Sequence, residues 1–174
     1  SQSLLAITPY VSGVYDNVGG RGDADAGVDI FWKPSGRLQM TAALNPDFGQ
    51  VESDDLVVNF GAVESFFSDK RPFFTENQGL FEVPFGAGNS RLLYTRRIGG
   101  PGDDGSGAGD VAAAVKLNGS LGQVNYGVLA ASESGDAGRD FYALRATRES
   151  DVHDFGGMLT HVDRPFLDRQ ATVL

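Results

Sequence analysis

Apolar and polar residues alternate with a period of two over most of this chain. Val28, Ile30 and Trp32 alternate with Gly27, Asp29, Phe31 and Lys33, and Leu38, Met40, Ala42 and Leu44 alternate with Arg37, Gln39, Thr41, Ala43 and Asn45. Pro34-Ser35-Gly36 separates the two runs, so the stretch predicts a β-hairpin with one apolar face. Val111, Ala113, Val115 and Leu117 open a second pair, with its turn expected at Asn118-Gly119-Ser120 and its return along Val124, Tyr126, Val128 and Ala130. A polar loop over 133–138 leads to Tyr142, Leu144 and Ala146, and Glu149-Ser150-Asp151 turns the chain toward a strand over 153–162. A first strand is expected over 4–15, with Pro9 at an edge or bulge, and 171–174 starts a further one. The fold class read from this pattern is all-β, an antiparallel meander of long strands.

Several of these runs exceed the ~5–6 residues usual in globular proteins and match the ~9–11 of a transmembrane strand. Their second face carries Arg37, Gln39, Thr41, Asn45, Lys116, Asn125 and Arg145, residues that would line a wet lumen. The pattern therefore fits a partial outer-membrane-type β-barrel. A soluble β-sandwich that binds ligands produces the same alternation and stays as an alternative.

Residues 46–100 break the alternation and separate first strands over 1–45 from further, truncated strands over 111–174, with a Gly-rich loop over 101–110. Phe66-Phe67, Phe73-Phe74 and Leu80-Phe81 cluster among charges, and a short helix is expected over 62–67. So aromatic an insert is expected to fold inward as a plug or to pack on the sheet. Its acidic string Asp47, Glu52, Asp54, Asp55 offers hard oxygen ligands, so a Ca²⁺ site at Asp47, Glu52 and Asp54 is one reading. Ion pairing with Lys70, Arg71, Arg96 and Arg97 is the other, and it is favoured because buried charges need partners. Gly100-Pro101-Gly102-Asp103-Asp104-Gly105 spells a phosphate-loop pattern, but no helix follows and two carboxylates would repel phosphate. His153 and His161, the two histidines, lie ~26 Å apart along an extended strand and cannot share a metal. No arrangement reads as catalytic, so the segment is not expected to be an enzyme.

Composition narrows the partners. Fourteen Lys and Arg against 23 Asp and Glu give a formal net charge of −9, the wrong sign for a nucleic-acid binder. Cysteine is absent, which removes disulfides and thiolate metal sites. No apolar run approaches the ~20 residues of a membrane helix, a limit that leaves a membrane barrel open.

Three strings carry a resemblance: Asn45-Pro-Asp-Phe-Gly-Gln-Val-Glu52, Phe66-Phe-Ser-Asp-Lys-Arg-Pro-Phe-Phe74 and Tyr94-Thr-Arg-Arg-Ile-Gly99. In this order they resemble a bacterial family with a family-9-type carbohydrate-binding domain followed by a large domain of unknown function, regarded as an outer-membrane β-barrel. The resemblance runs from about Leu4, with Asp69 where the family more often has Glu. It implies the start of the barrel domain, without the carbohydrate-binding domain and without most of the barrel. The implied function is glycan-related solute binding or passage in the bacterial outer membrane, with lipid and an oligo- or polysaccharide as partners. The alternative is a membrane anchor for a surface carbohydrate-binding or carbohydrate-active protein. The family has no established catalytic residues to carry over. A truncated sheet would also be expected to self-associate through its strand edges.

Overall fold

The structure, a computed structural model, describes residues 3–46, 71–76, 78–81, 92–102, 109–150, 153–165 and 169–173. The strands are β1 (Leu4–Asp16), β2 (Arg21–Ser35), β3 (Leu38–Leu44), β4 (Val111–Leu121), β5 (Val124–Glu133), β6 (Asp140–Arg148), β7 (Phe155–Asp163) and β8 (Arg169–Val173). They form one eight-stranded sheet in chain order, every neighbouring pair antiparallel. The chain is therefore all-β, an antiparallel meander, and the sheet is open, with β1 and β8 at its edges. Pro9 lies on β1, an edge strand, where a missing ladder donor is tolerated.

One turn and one hairpin length differ from the sequence expectation. Asn118, Gly119 and Ser120 do not turn the chain; they stay in β4 and pair with Gly127, Tyr126 and Asn125. The reversal comes at Gly122, which takes the left-handed φ of 62° that glycine adopts without strain. Gly119 remains in the strand because the Tyr126 ring lies over it, so that a Cβ there would come within 2.6 Å of the hydroxyl. The hairpin β1–β2 is also longer than its alternation suggests. It is paired from Leu4↔Lys33 out to Asp16↔Arg21, well past the last β2–β3 pair.

The register assigns every strand residue to a face. One cross-strand row runs Ala43, Ala114, Ala131, Phe141, and the next runs Thr41, Lys116, Leu129, Ala143, Thr160. This is the face the sequence marks as polar and small, and the described part of the insert packs on it. The insert contributes a one-turn helix α1 (Pro72–Thr75) and two 3-10 turns, Gln78–Leu80 and Thr95–Arg97. Phe73, Phe74, Phe81 and Ile98 are buried there against Ala43, Ala114, Ala131, Ala143, Leu129 and Phe141. The alanines leave depth for the rings, and Phe73 and Phe74 meet edge to face at 5.0 Å. The helix expected over 62–67 lies outside the described residues.

The other face is apolar and open. Leu5, Ile7, Val11, Trp32, Leu44, Val115, Leu121, Val124, Tyr142, Leu144, Phe155 and Leu159 are all exposed on it. Val111, which alternation alone would place among them, is 4 % exposed and belongs to the core. A bulge between Val111 and Ala113 shifts the register by one and turns its side chain inward.

Insert and sheet approach closely at Gly127, where a Cβ would lie 2.4 Å from Leu80 Cδ2 and 2.8 Å from Phe81 Cζ. Gly127→Val should push the insert off the sheet, whereas Gly36→Val, in open space, should not. Limited proteolysis within 71–100 is the readout. Equal cleavage of the two variants would refute this packing.

Candidate functional site

The insert leaves the sheet at a fixed corner. Asn45, just past β3, has a left-handed φ of 47°, a conformation asparagine tolerates better than most residues. Its side-chain amide donates to Asp25 Oδ1 at 2.5 Å and to the Ala26 carbonyl at 2.8 Å. Its backbone N–H donates to the Ala112 carbonyl at 2.7 Å, and its own carbonyl accepts from the Tyr10 hydroxyl at 2.6 Å. Asn45 thus ties β1, β2 and β4 together at the corner where the chain departs.

Three cations then fasten the insert, largely through backbone carbonyls. Lys116, projecting from mid-β4, is 1 % exposed, and its ammonium donates to the carbonyls of Phe73 and Glu76. These are carbonyls at the C-terminal end of α1, which the helix itself leaves unpaired. The Phe73 ring centroid lies 5.1 Å from the same ammonium. Beside it Gln39 Nε2 donates to Glu76 Oε1 at 2.9 Å. Arg71 reaches across the insert to the carbonyls of Ile98 at 2.6 Å and Thr95 at 2.7 Å, with its guanidinium 4.3 Å from the Phe74 ring centroid.

The third clamp was not legible in the sequence. Arg139, in the loop after β5, forms a buried pair with Glu133 at 2.8 Å. Its guanidinium also donates to the carbonyls of Arg97, Gly100 and Pro101 at 3.0, 3.1 and 3.3 Å. Glu133 Oε1 accepts the Gly99 N–H at 2.8 Å, and Oε2 accepts the N–H of Arg139 itself. Gly99 has a left-handed φ of 75°, which lets the turn present its N–H this closely. The string Tyr94–Gly99 is thereby explained: its carbonyls and one amide are the receptor for a charge pair supplied by the sheet.

On the same face, toward the β2–β3, β4–β5 and β6–β7 turns, lies a cavity of about 850 Å³. Gln39, Asn118, Ser120, Asn125, Arg145 and Thr147 line it from β3, β4, β5 and β6, and Leu80 of the insert bounds it. Asn118 Oδ1 is buried and has no hydrogen-bond partner. At the rim stand Lys33 and Arg37 on one side and Glu149 and Asp154 on the other.

The residues singled out in the sequence divide accordingly. Arg37, Gln39, Asn125 and Arg145 border the cavity, while Thr41 and Lys116 lie under the insert. Arg96 and Arg97 lie in the 3-10 turn held by Arg139. Asp47, Glu52, Asp54, Asp55 and Lys70, and with them the Ca²⁺ reading, fall outside the described residues. Among the described residues no group of His, Asp or Glu could hold a metal. His161 instead stacks on Tyr142 at 6.0 Å on the open face.

Fold and site together define an all-β protein whose sheet is apolar and uncovered on one side and on the other packs an aromatic insert over alanines and buried charges. The chain belongs to the family described as domain of unknown function (DUF5916), which matches residues 3–118 and so includes the insert and most of β4. No curated protein and no solved structure matches it.

Arg139→Ala would leave the Glu133 carboxylate buried without its cation, which costs about 3–5 kcal/mol in comparable pairs. The expected result is a lower denaturation midpoint with early release of 97–101, read by hydrogen exchange at Gly99. Exchange at Gly99 unchanged from the parent would exclude the clamp.

Proposed function

We propose that this chain forms strands of an outer-membrane β-barrel, with the open face toward lipid and the insert as a plug in a polar interior that binds or passes solute. The single observation that carries this reading is the second, uncovered apolar face of the sheet. A soluble one-sheet protein covers its apolar face and exposes its polar one. Here the covered side buries the apolar core together with Lys116, Glu133, Arg139 and Thr160, and the other side still leaves Leu, Ile, Val and aromatic residues exposed.

Strand length supports the reading. β4, β5, β6 and β7 have 11, 10, 9 and 9 residues, the span of a tilted strand across a bilayer. A spanning sheet must have no free edge in hydrocarbon, so β1 and β8 would pair with further strands. A β-sandwich would need a second sheet over the apolar face, and the described residues form one sheet.

Single cysteines in the full-length protein test the orientation. Leu144 is on the open face and Thr147, three residues on, borders the cavity. In native membranes a membrane-impermeant maleimide should label Leu144→Cys about tenfold or more slowly than Thr147→Cys, because the reactive thiolate does not form in hydrocarbon. The protein should also migrate differently on a gel before and after boiling. Equal labelling rates, with recovery in the soluble fraction and no mobility shift, would overturn the barrel reading.

A further inference from the structure

The cavity has a charge arrangement that neither the sheet nor the plug requires. Lys33 and Arg37 lie at its β2–β3 end, and their side chains make no hydrogen bond or ion pair with described residues. Glu149 and Asp154 lie at the β6–β7 end. Glu149 meets only a long 3.5 Å contact from Asn125 Nδ2, and Asp154 accepts the Ser150 N–H at 3.3 Å. Among the described residues no ion pair joins the two ends. Arg145, deeper on β6, is already engaged in other contacts.

Between the charged ends the floor is largely made of carboxamides and hydroxyls, with the Arg145 guanidinium among them. Gln39, Asn118, Asn125 and Thr147 supply it, with Asn118 Oδ1 buried and unsatisfied. Two aromatic residues, Tyr126 and Phe155, also border the cavity.

We propose that this cavity binds a short zwitterionic peptide, its carboxylate at Lys33 and Arg37 and its ammonium at Glu149 and Asp154. Carboxamide side chains match the peptide group, donor to acceptor and acceptor to donor. The size agrees as well. Arg37 precedes β3 and Glu149 follows β6, three strand spacings apart, or about 14 Å along the sheet. An extended peptide advances ~3.5 Å per residue, so about four residues span that distance. The volume of about 850 Å³ falls within the range of ligand pockets. The inference rests on the reading of the plug-bearing face as an interior open to solute.

The test is calorimetric titration of purified full-length protein in detergent with tetra-alanine, its N-acetylated and C-amidated form, and maltotriose. Saturable binding of tetra-alanine is expected. Capping both termini, or the double variant Lys33→Glu with Arg37→Glu, should weaken it about ten- to a hundredfold, the size of losing one or two charge-assisted hydrogen bonds. The exposed rim makes that variant compatible with folding, which the heat-modifiable gel shift checks independently. Absence of tetra-alanine binding, equal binding of the capped peptide, or binding of maltotriose alone would each overturn the proposal. With the gel shift retained, such a failure rejects the peptide site and leaves the barrel standing. Peptide binding by a protein lacking the shift would reject the barrel and keep the site.

Discussion

An ammonium group in the middle of a β-sheet, cut off from water, needs oxygen partners. Lys116 stands there, and the carbonyls of Phe73 and Glu76 supply them. The rest of the architecture follows from that requirement. The carbonyls are available because a one-turn helix leaves them unpaired, and the helix is held there by rings that need the alanine rows beside Lys116. Remove the insert and the sheet face exposes a charge placed for burial. Remove the charge and the insert loses the group that receives its helix end.

The same logic repeats at two further points and makes the insert part of the sheet rather than a loop upon it. Arg71 organises the insert internally by collecting the carbonyls of Thr95 and Ile98. Arg139 and Glu133 collect the next turn from the side of the sheet. A guanidinium suits this task because its planar fork serves several carbonyls at once. Each clamp binds backbone, so many side chains of the insert could vary without loss of the attachment. Flexibility of this kind leaves the cavity at the far end free to differ in chemistry while the fold is kept.

An uncovered apolar face is the constraint that connects this packing to the proposed function. The insert packs on one face of the sheet, and the other, which is apolar, stays uncovered. In water that surface would drive association. In a bilayer it is the required exterior, and the polar groups beneath it become an interior. The charged rim of the cavity lies on the insert-bearing face, where opposite charges stand apart and form no ion pair among the described residues.

The alternation of residues determined the strands, their order of pairing and the division into two faces. A period of two leaves little choice of face once pairing is antiparallel, and hairpin turns keep neighbours adjacent. The sequence also marked Gln39, Asn125 and Arg145 as residues of the polar face, by position alone. It could not place Val111, whose side chain is turned inward by a bulge, nor the turn at Gly122, because a glycine under the Tyr126 ring reads like a turn glycine. Glu133 and Arg139 looked like an ordinary charged loop, since the carbonyls they hold are some forty residues away in sequence and backbone carries no signature in the sequence. Asn45 read as one more polar position on a strand until its left-handed φ showed it to be the corner. Local pattern fixes what a strand is. Which groups meet across the sheet, and which charge closes on which carbonyl, is decided only when distant segments are brought together.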